Sequence, residues 1–287
     1  MKESLQHLNS LTFDIYHQVM PDLHNNAAIG VFDSGVGGLS VLQAIQQQLP
    51  EEDLIYIADS GNAPYGERDA DFIVDRATHL TELLLACGVK AVVIACNTVS
   101  VVAIGKIRAW CPVPVIAMEP AIKPASQNTK SGVVGVLATR QTIASPSVAR
   151  LCETHGNNLE ILLQPCPGLV ECVERAELFS AATRALLVEY ISPLLAAGAD
   201  TLVLGCTHYP FLTPLIRDIV GPNVAIIDPA AAIAMQLVRR LGDNRISGQR
   251  TKTSGARFFS SARTADAEAI ISSLWGKSIT VEAIGTV

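Results

Sequence analysis

Charge is scarce in this sequence. Only 17% of its 287 residues are Asp, Glu, Lys or Arg, and only 5% are aromatic, whereas 49% are hydrophobic. A chain so poor in charge and rich in aliphatic residues is not intrinsically disordered. The 21 basic residues form no run of useful length, and the formal net charge is -6. That balance argues against a nucleic-acid-binding surface. A mean hydropathy of +0.33 raises the membrane question. The greasiest stretch, residues 89–107, is interrupted by Lys90, Asn97 and Lys106. No uncharged apolar run of about 20 residues is present to span a bilayer. Residues 1–26 lack the apolar core and small-residue cleavage site of a signal peptide, so a cytoplasmic, membrane-free protein is expected. The seven cysteines are odd in number and include no CxxC pair, which argues against a disulfide framework.

The length suits roughly two domains. Residues 1–26 read as a polar N-terminal extension in which Leu5, Leu8, Phe13 and Val19 could form a weak helical stripe. From Ala27 onward, short apolar runs alternate with helical stretches. The runs begin at Ala28, Leu54, Ala91, Val115, Val133, Leu159, Thr201, Val224, Arg257 and Ile279, and helical patterns include 38–48, 69–87 and 179–197. Runs apolar on both faces suit buried parallel strands, and their alternation with helices predicts an α/β fold. A repeat at an offset of 110 residues aligns 84–96 with 194–206. Each copy ends in Cys, with Thr98 and Thr207 close behind, and a weaker match pairs 30–34 with 135–139. Chance likeness between helix–strand units explains the apolar runs but not the shared cysteine. The expected architecture is two pseudo-symmetric lobes, each a mainly parallel sheet flanked by helices, with the active site in the cleft between them. The first lobe takes 27–118 plus 229–287, and the second takes 119–228.

In parallel sheets, ligands bind where strands end and helices begin. Here those ends carry Asp33-Ser34-Gly35-Val36-Gly37-Gly38, Asp59-Ser60, Cys96-Asn97-Thr98, Thr139 to Thr142, and Cys206-Thr207-His208. The glycine-rich segment fails as a dinucleotide or NTP motif, because Ser40 stands where the last Gly belongs and no GK[ST] follows. Cys96 and Cys206 occupy strand ends near helix N-termini, a setting expected to lower a thiol pKa. Asp33 is a polar assistant for Cys96, and His208 for Cys206. Packing, a zinc site with His208, a Cys–His hydrolase and a redox pair all compete as readings. None has supporting spacing, and the hydrolase leaves one cysteine without a role. Inverting a stereocentre uses both, one removing a proton from one face while the other returns one to the opposite face. Ser34, Asn97, Thr98, Thr142 and Thr207, with nearby backbone N–H groups, could hold carboxylates without Lys or Arg. Arg140 reads as a surface charge.

FDSGVGGLSV (32–41), ADSGNAPYGE (58–67), ACNTVS (95–100), EPAIKPA (119–125) and LGCTHYP (204–210) occur in this order. Together they resemble the glutamate racemases, cofactor-independent enzymes of peptidoglycan synthesis, over residues 28–234. The resemblance implies interconversion of L- and D-glutamate with no pyridoxal phosphate and no metal. It implies that Cys96 abstracts the proton of D-glutamate and Cys206 that of L-glutamate, with Asp33 and His208 as their partners. A glutamate assisting the second cysteine falls on Glu174 in the segment 166–174, with Glu171 a rival register and Leu169 replacing the usual aromatic. Substrate contacts fall on Asp33, Ser34, Tyr65, Gly66, Asn97, Thr98, Thr142, Thr207 and His208. The expected partners are the two glutamate enantiomers, a second copy of the chain, and the peptidoglycan-precursor activator of some members with such an extension. An aspartate or broad-specificity racemase, and an amino-acid binder without turnover, remain as rivals.

Overall fold

The computed structural model describes residues 27–156, 158–242 and 254–284. The expected extension stripe lies outside them. All ten apolar runs become strands: β1 Ile29–Asp33, β2 Leu54–Ala58, β3 Ala91–Ile94, β4 Val115–Ala117, β5 Val133–Ala138, β6 Glu160–Pro165, β7 Thr201–Leu204, β8 Ala225–Ile227, β9 Ala256–Ser260 and β10 Val281–Ala283. Every pairing is parallel. One six-stranded sheet has the order β10-β9-β2-β1-β3-β4, and a four-stranded sheet has the order β6-β5-β7-β8. The fold is therefore α/β in two lobes.

The helices are α1 Leu39–Gln48, α2 Ala70–Ala86, α3 Asn97–Arg108, α4 Ile122–Asn128, α5 Arg140–Ile143, α6 Pro146–His155, α7 Leu169–Glu174, α8 Ala181–Ala196, α9 Thr213–Val220, α10 Ala230–Leu241 and α11 Thr264–Trp275. Residue types set several starts. Asp69 caps α2 by accepting from Phe72 N at 2.7 Å. Ser180 caps α8 through Thr183 N at 3.0 Å. Such a cap contributes about 1 kcal/mol.

Alternating side chains of the first sheet enter two cores. Val31, Tyr56 and Val93 join α1, α10 and α11 on one face. Phe32, Ile57 and Ile94 join α2 and α3 on the other. Both faces are covered, so β1, β2 and β3 are buried throughout. This accounts for their unbroken apolar runs. Each fully buried Ile, Val or Phe contributes about 1.5–3 kcal/mol, and Ile29→Ala would cost about 2–5 kcal/mol. Among the described residues no helix is long and apolar enough to cross a membrane.

The strand orders locate the cleft. In the first sheet β1 has β2 on one side and β3 on the other, and in the second β5 has β6 and β7. Chain progression reverses at both places, and such switch points open a crevice at the carboxyl ends of the strands. The repeated segments are these central strands: β1 matches β5, and β3 matches β7.

Candidate active site

The loop after β1 turns sharply into α1 and is held from several sides. Asp33, wholly buried, accepts from Gly38 N through Oδ2 at 2.7 Å. The Tyr56 hydroxyl donates to Gly35 O at 2.8 Å. Ser40 Oγ donates to Thr207 O at 3.0 Å, tying the first lobe to the second. Two glycines are needed for close approach. A Cβ on Gly37 would lie 2.3 Å from His208 Nδ1, and one on Gly35 would lie 1.9 Å from Glu174 Oε1. The glycine-rich segment thus lets a histidine and a carboxylate of the other lobe press onto backbone.

Cys96 follows β3 as the residue before α3. Its Sγ donates to Ser34 Oγ at 3.4 Å, and Ser34 Oγ donates to Asp33 Oδ1 at 3.3 Å. Cys206 follows β7, and its Sγ lies 3.7 Å from His208 Nδ1. His208 Nε2 lies 2.7 Å from Glu174 Oε1, which also accepts from Val36 N at 2.7 Å. Thr207 Oγ1 donates to Asp33 Oδ2 at 3.4 Å. Asp33 thus contacts the cysteine loops of both lobes, and the two thiols sit within electrostatic reach of each other. Glu174, and not Glu171, is the carboxylate on His208.

The charges are unequal on the two sides. Burial pulls the His208 imidazole down, but its hydrogen bonds to Cys206 and Glu174 and their negative charge outweigh this and hold it well above its usual range. Burial pushes Glu174 up, and the His208 bond and charge with the Val36 N–H bring it below the usual carboxylate value. Burial raises Asp33 despite the His208 charge and the Gly38 N–H. Burial and the Asp33 charge also push the Cys96 thiol up, against the Ser34 and Val99 hydrogen bonds. This corrects the expectation of a lowered pKa there. Helix N–H groups do reach Cys96, but desolvation and a neighbouring carboxylate win.

The recognition groups gather beside these thiols. Asn97 is 2% exposed, and both its amide oxygen and nitrogen lack a hydrogen-bond partner. Buried amides are normally paired, so an unpaired one beside Cys96 marks a place for a polar ligand. Thr98 Oγ1 lies 3.0 Å from Thr139 Oγ1 and 3.4 Å from Thr142 Oγ1, linking the lobes through hydroxyls. Gly66 packs against the Thr139 side chain, where a Cβ would come within 2.9 Å. The Tyr65 ring is buried and its hydroxyl donates to Asp59, so that hydroxyl is already engaged. Arg140 is exposed and pairs with Glu67 at 3.5 Å. Sequence reasoning missed Tyr56 and Ser40, which carry no signal of their role, and it placed Thr139 at a strand end without counting it among the substrate contacts.

The pattern described as Asp/Glu/Hydantoin racemase matches residues 29–237. The chain belongs to this family. Glutamate racemase of Ectopseudomonas mendocina is 49% identical over 254 residues, covering 88% of this chain and 96% of that protein. Among solved structures, Escherichia coli glutamate racemase in complex with L-glutamate and the activator UDP-MurNAc-Ala gives a TM-score of 0.80 at 31% identity, covering 90% of this chain and 97% of that one. The Francisella tularensis glutamate racemase in complex with D-glutamate gives 0.79 at 28%, covering 92% and 100%. The two-lobed parallel α/β fold is therefore that of the racemase family.

Proposed function

We propose that this protein interconverts L- and D-glutamate by two-base proton transfer between Cys206 and Cys96. The observation that carries the reading is the pair of buried thiols at equivalent strand ends of two repeated lobes, Cys96 beside Ser34–Asp33 and Cys206 beside His208–Glu174. The curated relatives, glutamate racemases over nearly their full length, support glutamate as the substrate.

In the L-to-D direction, the Cys206 thiolate takes the Cα proton, and the electron pair of that C–H bond moves into the α-carboxylate. The Cys96 thiol then donates its proton to the opposite face of Cα. Cys206 ends as thiol and Cys96 as thiolate, and the D-to-L direction runs these steps backwards. The His208 imidazolium supports negative charge at Cys206. Burial and the Asp33 charge keep Cys96 as the protonated thiol, so the proton to be delivered is in place, and Asp33 steadies it through Ser34. The Asn97 amide, the Thr98–Thr142 hydroxyls, Thr207, Ser34 and the backbone at Tyr65 and Gly66 hold the substrate.

The D-glutamate formed would serve peptidoglycan synthesis in the cytoplasm. A precursor activator of the kind bound by the E. coli relative is proposed to act here too. Unchanged kinetics with and without UDP-MurNAc-Ala would remove that part. The activity itself is tested by incubating purified protein with L-glutamate, D-glutamate and L-aspartate and resolving the enantiomers. Racemisation of both glutamates and little of aspartate is expected. Preferred aspartate turnover, or binding without turnover, would overturn it.

A further inference from the structure

Asp59, at the end of β2, is wholly buried and lies outside the thiol machinery. Its carboxylate accepts four hydrogen bonds from three side chains. Arg76 donates twice, Nε to Oδ2 at 2.9 Å and Nη2 to Oδ1 at 2.8 Å. Asn62 Nδ2 donates to Oδ1 at 3.0 Å, and the Tyr65 hydroxyl donates to Oδ2. Arg76 comes from the second turn of α2, a rigid helix whose first turn supplies Phe72, packed edge-on to the Tyr65 ring at 5.7 Å. The guanidinium side chain keeps 24% exposure while the carboxylate keeps none.

This network holds the Ser60–Glu67 loop at Asn62 and Tyr65. The end of that loop, with Arg68 just after it, contacts the second lobe. Gly66 lies on Thr139, Glu67 pairs with Arg140, and Arg68 O accepts from Gln141 Nε2 at 2.6 Å. A planar guanidinium that forks onto a carboxylate fixes direction as well as distance, which a lysine cannot do. We infer that Arg76, acting through Asp59, is a positioning residue that sets the Tyr65–Gly66 backbone against Thr139 and thereby determines how tightly the cleft holds its amino-acid substrate.

The inference rests on the racemase reading above. A group that helps bind ground state and transition state alike changes KM and leaves kcat in place. The clamp touches neither thiol, so its loss belongs to that class.

The experiment compares full-length wild type, Arg76→Ala and Arg76→Lys in steady-state racemisation of both enantiomers, with and without added guanidinium chloride at sub-denaturing concentration. Wild type is followed first. If it does not racemise glutamate, the functional reading fails, and the clamp is then read from D-glutamate binding by calorimetry, where Arg76→Ala and Arg76→Lys should both weaken affinity. If wild type turns over, Arg76→Ala should raise KM about 10- to 100-fold with kcat nearly unchanged. Free guanidinium should restore much of that loss, since the side chain it replaces is partly open to solvent. Arg76→Lys should lie between the two, and it decides the matter alone if Arg76→Ala does not fold. A KM unaltered in a folded variant, or a parallel loss of kcat that guanidinium does not relieve, would overturn the inference.

Discussion

Glu174→Gln removes one negative charge and almost no volume. The amide oxygen can still accept from Val36 N or His208, so the 2.7 Å contacts survive in shape while the charge that holds the proton on His208 is lost. A hydrogen bond to a charged group contributes about 1.5–3 kcal/mol. With about 1.4 kcal/mol per factor of ten, kcat/KM should fall roughly 10- to 100-fold. Two enantiomers have equal free energy in water, so kcat/KM must fall equally in both directions. The asymmetry appears in isotope effects instead. Proton transfer at Cys206 becomes the slow step, so the primary effect with Cα-deuterated L-glutamate should rise and that with deuterated D-glutamate should shrink. Circular dichroism follows both progress curves. An unchanged kcat/KM, or a loss with both isotope effects unaltered, would refute the role assigned to the His208–Glu174 pair.

Other substitutions separate chemistry from stability. Burial raises Asp33 above its usual 3.8, so the unfolded chain gives up this proton more readily and wild-type stability falls as pH rises from that value towards the folded pKa. Asp33→Asn should therefore melt higher than wild type at neutral pH, with the gain closing as pH approaches 3.8, while kcat drops; a lower melting temperature at neutral pH would contradict this. Lys90 and Glu52 form a buried pair at 2.6 Å before β3 and β2, at the opposite end of the sheet from the thiols. Lys90→Met should cost about 3–5 kcal/mol in denaturant unfolding, with KM unchanged. Lys90→Met with Glu52→Leu should regain most of it.

Much of this was legible because buried parallel strands leave a plain trace. Strand runs, strand ends and the repeated Cys-to-Thr pattern are local features, and the switch points turn them into a site. What was not legible depends on pairs far apart in the chain. Ser40 with Thr207 and Tyr56 with Gly35 show no periodicity and no motif. Glu171 and Glu174 sit three residues apart on α7, and only contact with Val36 and His208 separates them. The Cys96 shift was read with the wrong sign because burial belongs to the folded molecule, whereas a helix start can be read from residues.

Isotope placement at early conversion in D2O tests the two-thiol mechanism most directly. Beginning with L-glutamate, the account predicts that the first D-glutamate formed carries deuterium at Cα while the remaining L-glutamate keeps its hydrogen, and the mirror result from D-glutamate. D-glutamate retaining the original proton, or deuterium entering the unreacted L-glutamate as fast as product appears, would point to a single base and contradict it.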